Sequence, residues 1–410
     1  MQKRIVVTGL GVISSIGIGK DAFWDALIAG KSGISEITSI DTSGYPTHRG
    51  GEVKDFKPES FINRRKVASL GRASCLAISC AKLALKDSGS DLSDADKEKT
   101  GVIIGTTMGE SGVLEILNEA WVRRGDAAID PKLVSRYPAN VLSSNVGIEL
   151  ELLGPNYVIP TACAAGNYSI GYAYDLLKAG EAEIMLAGGV DAFSRIAFMG
   201  FNRLYAVAPE ECQPFDRNRK GMMVGEGAGV LVLEPLERAL KRKANIYAEI
   251  LGYGLSCDAH HMTAPDTEGI AKSIEKALSQ SRLNKEDVDY ISAHGTGTPL
   301  NDKVECAAIK KVFGEYAGKI PVSSIKSMLG HTMGAASAIE AIACCLSVKS
   351  DVIPPTINYR TPDPECDIDC VPNVSRRKKV EVALNDASAF GGNNASLALK
   401  KFLSTKPAVH

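Results

Sequence analysis

Charge of neither sign predominates in this chain. Its 410 residues carry 47 lysines and arginines against 48 aspartates and glutamates, a formal net charge of −1. That balance excludes a general electrostatic attraction to nucleic acid or to an anionic membrane. Long hydrophobic runs are missing as well. No stretch approaches the length of a membrane span, and the apolar run after Met1-Gln2-Lys3-Arg4 is too short for a signal-peptide core. A cytoplasmic protein without membrane association is expected. No low-complexity linker cuts the chain. The ten cysteines do not read as a disulfide framework. Cys75, Cys80, Cys306, Cys344 and Cys345 fall in helix-like segments, where thiols act as small apolar fillers. Cys366 and Cys370 have ligand-like spacing, but no second Cys or His pair accompanies them, so reduced thiols are expected rather than zinc.

What is present is 45% hydrophobic residues and 39 glycines, enough for a substantial core with many tight turns. Short apolar strands, half of them ending at a glycine, recur at 5–8, 102–104, 184–187, 230–233, 290–293 and 380–384. Alanine-rich helical patterns lie between them at 69–86, 163–178, 269–281 and 335–348. Such alternation predicts a layered α/β fold. A weak duplication accompanies it: strand 100–105 runs into Thr106-Thr107-Met108-Gly109, and strand 289–293 runs into His294-Gly295-Thr296-Gly297-Thr298. Two halves, 1–245 and 246–410, are expected, with a site at their junction.

Three loops carry chemistry. In Pro160-Thr161-Ala162-Cys163-Ala164-Ala165-Gly166 a cysteine follows a short apolar strand, while Ile170, Ala173, Leu176 and Leu177 beyond it fall at helical spacing. A helix N-terminus there would favour thiolate over thiol. His294 and His331 each stand in a glycine- and threonine-rich turn after an apolar strand, and Lys326 precedes His331 by five residues. A thiolate accepts an acyl group and leaves again readily, so it can hold a chain as a thioester. Neutral imidazoles can donate N–H bonds to a developing oxyanion or enolate, and a fixed lysine charge would keep them neutral. That set suits carbon–carbon bond formation between thioesters. A protease would need one histidine oriented by Asp or Asn and no second donor.

From Val6-Val7-Thr8-Gly9-Leu10-Gly11 to Ala389-Phe390-Gly391-Gly392-Asn393 the ordered motifs make the chain resemble the β-ketoacyl-acyl-carrier-protein synthases of the elongating KAS I/II type, within the thiolase-like superfamily. The intermediate motifs are Thr161-Ala162-Cys163, Pro214-Phe215-Asp216, Gly225-Glu226-Gly227-Ala228-Gly229, His294–Thr298 and Lys326–His331. The resemblance implies a duplicated α-β-α-β-α fold and a homodimer. A heterodimer with a related subunit is the alternative.

For the site, the resemblance implies Cys163 as acyl acceptor, His294 and His331 as decarboxylation and enolate donors, and Lys326 as the supporting lysine. Glu340, Asp302 and Glu305 match structural acids, and Thr296 and Thr298 match positions that bind phosphopantetheine. Phe390 matches a gating phenylalanine, Met108 and Phe201 match positions lining the acyl pocket, and Arg203 matches a docking arginine. The backbone N–H groups of Cys163 and Phe390 would form an oxyanion hole. The implied partner is an acidic acyl carrier protein, acyl- and malonyl-loaded, which calls for a basic entrance; Arg64-Arg65-Lys66 and Arg123-Arg124 are further candidates. Lys241-Arg242-Lys243 and Arg376–Lys379 read as solvated surface. No metal or organic cofactor is implied, because the substrate supplies its own electron sink. The implied reaction is decarboxylative Claisen condensation in fatty acid elongation, with a specialised polyketide, polyene or unusual-lipid pathway as the alternative.

Two other classes fit less well. A non-catalytic partner subunit would lack the cysteine, and a thiolase would carry a second reactive cysteine where Phe390-Gly391-Gly392 stands. The chain also departs from the family pattern at Tyr168, in the loop 201–207, at Ala389, at Asn393-Asn394, and at Glu110, which falls near the expected pocket entrance.

Overall fold

The computed structural model describes residues 3–403. Met1 and Gln2, read above as leading into the first strand, and residues 404–410 of the second half lie outside the described residues. Ten strands are named here: β1 (Ile5–Ser14), β2 (Thr100–Gly105), β3 (Asn156–Ile159), β4 (Ile184–Asp191), β5 (Gly227–Pro235), β6 (Ala248–Cys257), β7 (Tyr290–Ser292), β8 (Val322–Ser323), β9 (Val382–Ala389) and β10 (Asn393–Lys401). They form one sheet in the order β8-β7-β9-β10-β6-β1-β5-β4-β2-β3.

Read outward from the centre, one half runs β1, β5, β4, β2, β3 and the other β6, β10, β9, β7, β8, the same order twice. The pairing senses repeat too: β2 is parallel to both its neighbours, β3 and β4, as β7 is to β8 and β9. The halves meet where Ile5, Val6 and Val7 pair antiparallel with Ile250, Glu249 and Ala248.

Five helices complete the layers: α1 (Arg72–Ser88), α2 (Ala165–Ala179), α3 (Thr267–Ser281), α4 (Pro299–Phe313) and α5 (Ala336–Ser350). α2 and α5 lie between the two half-sheets, where Ile170, Leu177, Ile339 and Ile342 pack with Leu10, Leu231 and Leu397. Burying each such side chain is worth about 1.5–3 kcal/mol. α1 covers the outer face of the first half, and α3 with α4 covers that of the second. This is the duplicated α-β-α-β-α arrangement. Small residues let the central helices touch: a Cβ on Gly166 would lie 2.5 Å from the Ala338 nitrogen. The expectation that no stretch approaches a membrane span is corrected by Met333–Ser350, which is long and apolar enough to cross one, although 89% of it is buried inside the protein.

The sequence reading missed β10, whose Asn393-Asn394-Ala395-Ser396 start has little strand character. It is a strand because it pairs on both sides, with β9 and with β6. The turn into it takes Gly391 and Gly392 at φ 82° and 74°, a conformation glycine adopts without steric cost.

Candidate active site

Cys163 sits in a 3₁₀ turn, Ala162–Ala164, that closes the loop after β3 and opens α2. Ala162 has φ 49°, an uncommon conformation for a residue with a side chain. A buried network holds the turn from the other half of the chain. The Ser337 hydroxyl donates to the Cys163 carbonyl at 3.2 Å and accepts from the Asn167 N–H at 3.0 Å. Asn385 Nδ2 donates to Asn167 Oδ1 at 2.8 Å, and Asn167 Nδ2 donates to the Asn385 backbone carbonyl at 2.9 Å. Sequence reading did not single out Ser337 or Asn385. The one available signal was an asparagine inside the apolar run of β9.

His294 follows β7. Its N–H and that of Gly295 donate to the Glu305 carboxylate on α4 at 2.6 and 2.8 Å. Asp302, also on α4 and fully buried, accepts from the Gly297 N–H at 3.1 Å and from the Phe215 N–H at 2.8 Å. The two acids therefore fold the His294–Thr298 loop rather than face the cavity. Burial pushes the Glu305 carboxyl up to about 8 and also raises Asp302. The hydroxyls of Thr296 and Thr298 stand 2.8 Å apart.

His331 precedes a second 3₁₀ turn, Met333–Ala335, which opens α5 as the cysteine turn opens α2. Met333 has φ 53°, matching Ala162. The Met333 N–H donates to His331 Nδ1 at 3.2 Å, so the neutral ring carries its proton on Nε2. The two imidazole rings lie edge to face with centroids 5.4 Å apart. Lys326, only 1% exposed, pairs with Glu340. Burial and the Lys326 charge hold both histidines well below the usual imidazole range, with His331 lowering His294 further. Both are neutral at pH 7.

Ligand atoms of Cys163, His294 and His331 all lie within 4.8 Å of one another. The set does not suit a metal. A histidine bound through Nε2 donates its other N–H, whereas His331 Nδ1 accepts a hydrogen bond and Nε2 keeps the proton. What the three groups offer is a sulfur facing imidazole donors. Burial pushes the sulfur up to about 12 against the pull of the Lys326 charge. Desolvation here opposes the thiolate that the helix terminus favours.

The site opens into a cavity of about 310 Å³, lined among others by Cys163, Thr296, Thr298, Phe201 and Phe390. The Phe201 and Phe390 rings pack against each other on its lining, with centroids 5.6 Å apart. Met108 does not line this cavity; it packs with Phe198, Met222 and Met333, and its N–H donates to Asp191 at 2.9 Å. Arg203 is exposed beside the lining residues Leu204 and Tyr205 and pairs with no carboxylate among the described residues. Lys66 and Arg123 pair with Glu149 and Glu119 at 2.7 and 3.1 Å. Glu110 is not at an entrance: it is buried and caps α1 by accepting from the N–H groups of Ala73 and Ser74. Arg242 is not simply solvated, since its Nε donates to the buried Glu234 at 3.0 Å. Tyr168 lies half-buried against Ala164, Ala387 and Ala395.

Asp386 is buried beside the same loop system, with Oδ2 lacking any partner among the described residues. Burial pushes its carboxyl up to about 7. A folded value above the unfolded one costs stability as pH rises through it. Asp386→Asn is expected to raise the melting temperature by a few degrees at pH 9 and to leave it little changed at pH 4, which calorimetry at the two pH values checks.

Comparison with known proteins places these features. Models of the beta-ketoacyl synthase N-terminal and C-terminal domains match residues 2–239 and 247–360. The chain is 41% identical over 410 residues to 3-oxoacyl-[acyl-carrier-protein] synthase 2 of Synechocystis sp., covering 98% of this chain and 99% of that one. It is 40% identical over 409 residues to the enzyme of the same name from Staphylococcus aureus, with the same coverage. Among solved structures, the ishigamide ketosynthase/chain length factor aligns with a TM-score of 0.95 at 46% identity, covering 98% of this chain and 100% of that one. A type II polyketide ketosynthase in complex with its acyl-carrier protein aligns at 0.90 and 33% identity, with the same coverage. Family models on both halves and full-length relatives agree: the chain belongs to the beta-ketoacyl synthase family.

Proposed function

We propose that the chain catalyses decarboxylative Claisen condensation between a Cys163-bound acyl chain and malonyl-carrier protein, giving a 3-oxoacyl-carrier protein two carbons longer. The observation that carries this is the meeting of a buried thiol with two neutral imidazoles, all within 4.8 Å, in a cavity beside Lys326. Cys163 sulfur attacks the thioester carbonyl of the acyl carrier, and the thiol proton leaves with the carrier thiol. Malonyl carrier then binds and loses carbon dioxide, its bonding pair passing to the thioester oxygen as an enolate. His331 Nε2–H and His294 donate to that oxygen in the dry site. The enolate carbon attacks the Cys163 thioester, the sulfur departs, and one proton from solvent restores the thiol.

In this reading Thr296 and Thr298 bind the phosphopantetheine arm and Phe390 gates the cavity. The Cys163 and Phe390 N–H groups form the oxyanion hole, Phe201 lines the space for the acyl chain, and Met108 acts only from behind, in the cluster that includes the lining residue Met222. Arg203 docks an acidic carrier. Glu340, Asp302 and Glu305 are structural. The functional halves are 1–245 and 246–410, and a cytoplasmic homodimer is part of the same reading. Exposed apolar side chains support a partner there. Tyr157 on the terminal strand β3 and Tyr172 beside it are 45% and 40% exposed, and Ile148 and Leu153 are each 73% exposed.

One observation favours a second reading. Identity to the ishigamide ketosynthase/chain length factor, 46%, exceeds that to the fatty acid relatives, 41% and 40%. A specialised polyene or polyketide ketosynthase paired with a related non-catalytic subunit fits that. Intact-protein mass after mixing with carrier proteins bearing saturated C4–C16 or polyunsaturated chains separates the two. Loading by saturated chains and extension with malonyl carrier is the result expected for fatty acid elongation. Loading only by polyenes, or only with an added partner subunit, moves the chain to the specialised pathway. No adduct with any donor overturns both readings.

A further inference from the structure

We infer that Asp191 is a positioning residue that fixes which nitrogen of His331 carries the proton. The inference rests on the donor role proposed above for His331. Asp191 ends β4, is fully buried and does not line the cavity. Its carboxylate accepts four hydrogen bonds: from the Thr106 hydroxyl at 2.7 Å, the Thr107 N–H at 2.8 Å, the Met108 N–H at 2.9 Å and the Gly334 N–H at 2.6 Å. An ionised carboxylate, acceptor-only at every lone pair, matches four donors as no other side chain does.

The fourth donor gives the residue its reach. Gly334 belongs to the Met333–Ala335 turn, and the amide one residue earlier, that of Met333, is the donor to His331 Nδ1 at 3.2 Å. Close packing holds the turn from the same side, since a Cβ on Gly334 would lie 2.5 Å from Thr106 Cα. One carboxylate thus ties the loop 106–108 to the turn whose amide occupies Nδ1 and leaves Nε2–H as the donor toward Cys163. With the turn released, Nδ1 can take the proton. Nε2 then becomes an acceptor and has nothing to give an enolate oxygen.

The test is a long-range ¹H–¹⁵N correlation spectrum of the full chain with ¹⁵N-labelled histidine, His331 being assigned by difference from His331→Gln. Wild type is expected to show His331 neutral with its proton on Nε2. Asp191→Asn, which sets an NH₂ against backbone donors, is expected to give mixed tautomers and a kcat lower by about 10- to 100-fold, with KM for malonyl carrier little changed. Thr106→Val removes a donor on the far side of the carboxylate and is expected to keep the Nε2 tautomer, as is Asp191→Glu. A wild-type His331 protonated on Nδ1 overturns the inference, even where Asp191→Asn fails to fold. So does an Asp191→Asn protein with an unchanged tautomer. Absence of condensation alongside an intact Nε2 tautomer would count against the proposed reaction and not against the brace.

Discussion

Cys163→Ala is expected to abolish the acyl adduct seen by intact mass and to lower condensation by at least about 10⁴-fold. The size of the loss follows from the division of labour in the site. Without sulfur there is no thioester for the enolate to attack, and nothing else in the cavity can take its place. Of the ten cysteines, Cys163 alone is grouped with both imidazoles, and Cys257 alone is exposed. In the reading proposed above, carbon dioxide release from malonyl carrier uses His294, His331 and Lys326 and not the thiol, so it is expected to persist. Product assay and carbon dioxide assay on the same variant check the split. Retained condensation would remove Cys163 from its role, and parallel loss of both activities would mean that decarboxylation needs the thiol as well as the histidines. The fold should survive the change, since the turn is held through the Cys163 carbonyl and Asn167, not through the sulfur.

Lys326→Met is the second large effect, and it acts on stability and on pH dependence together. Lys326 and Glu340 form a fully buried pair, and the second Glu340 oxygen has no partner among the described residues. Breaking such a pair from one side costs about 3–5 kcal/mol. Burial already raises the Glu340 carboxyl and Lys326 lowers it, so loss of the lysine raises it further. A carboxyl raised in the fold destabilises as pH climbs through its folded value, so the variant should suffer most at alkaline pH. The histidines respond in the opposite sense. Lys326 lowers both, so its removal lets them protonate at higher pH, and the acid limb of the kcat profile should move upward. Lys326→Met/Glu340→Leu is expected to recover much of the stability and none of the profile. Denaturant titration and a pH–rate profile on both variants make the measurement. An unmoved acid limb would mean that the lysine charge does not tune the imidazoles.

Much of this was legible in the chain. Cys163, His294, His331 and Lys326 are separated by up to 168 residues, yet their chemistry and the family resemblance of the motifs around them mark them as one set; the structure groups the cysteine with both histidines, and the Lys326 charge reaches both rings. The alternation of apolar strands with alanine-rich helices gave the layers. What stayed hidden depends on contacts across the fold. Asp191 meets Gly334 over 143 positions, and Asn167 meets Asn385 over 218, and no local pattern announces either. An acid in an apolar strand signals a buried partner without naming it. Glu110 looked like an entrance residue because a sequence does not show whether a loop turns inward. The burial that opposes thiolate at Cys163 was hidden for a similar reason: a helix start is local, but desolvation is set by everything packed around it.

The two strained turns carry a consequence for how this site came to be asymmetric. Thr161-Ala162-Cys163-Ala164-Ala165 and Thr332-Met333-Gly334-Ala335-Ala336 share a pattern, and each opens one of the paired central helices. The two corners are not interchangeable, for steric reasons. Any side chain at 334 would strike the Thr106 backbone, whereas at 163 the side chain lines the cavity. A nucleophile can therefore stand at only one of the two corners, and the reading proposed above gives the other, bare of a side chain, the part of a rigid mount for His331.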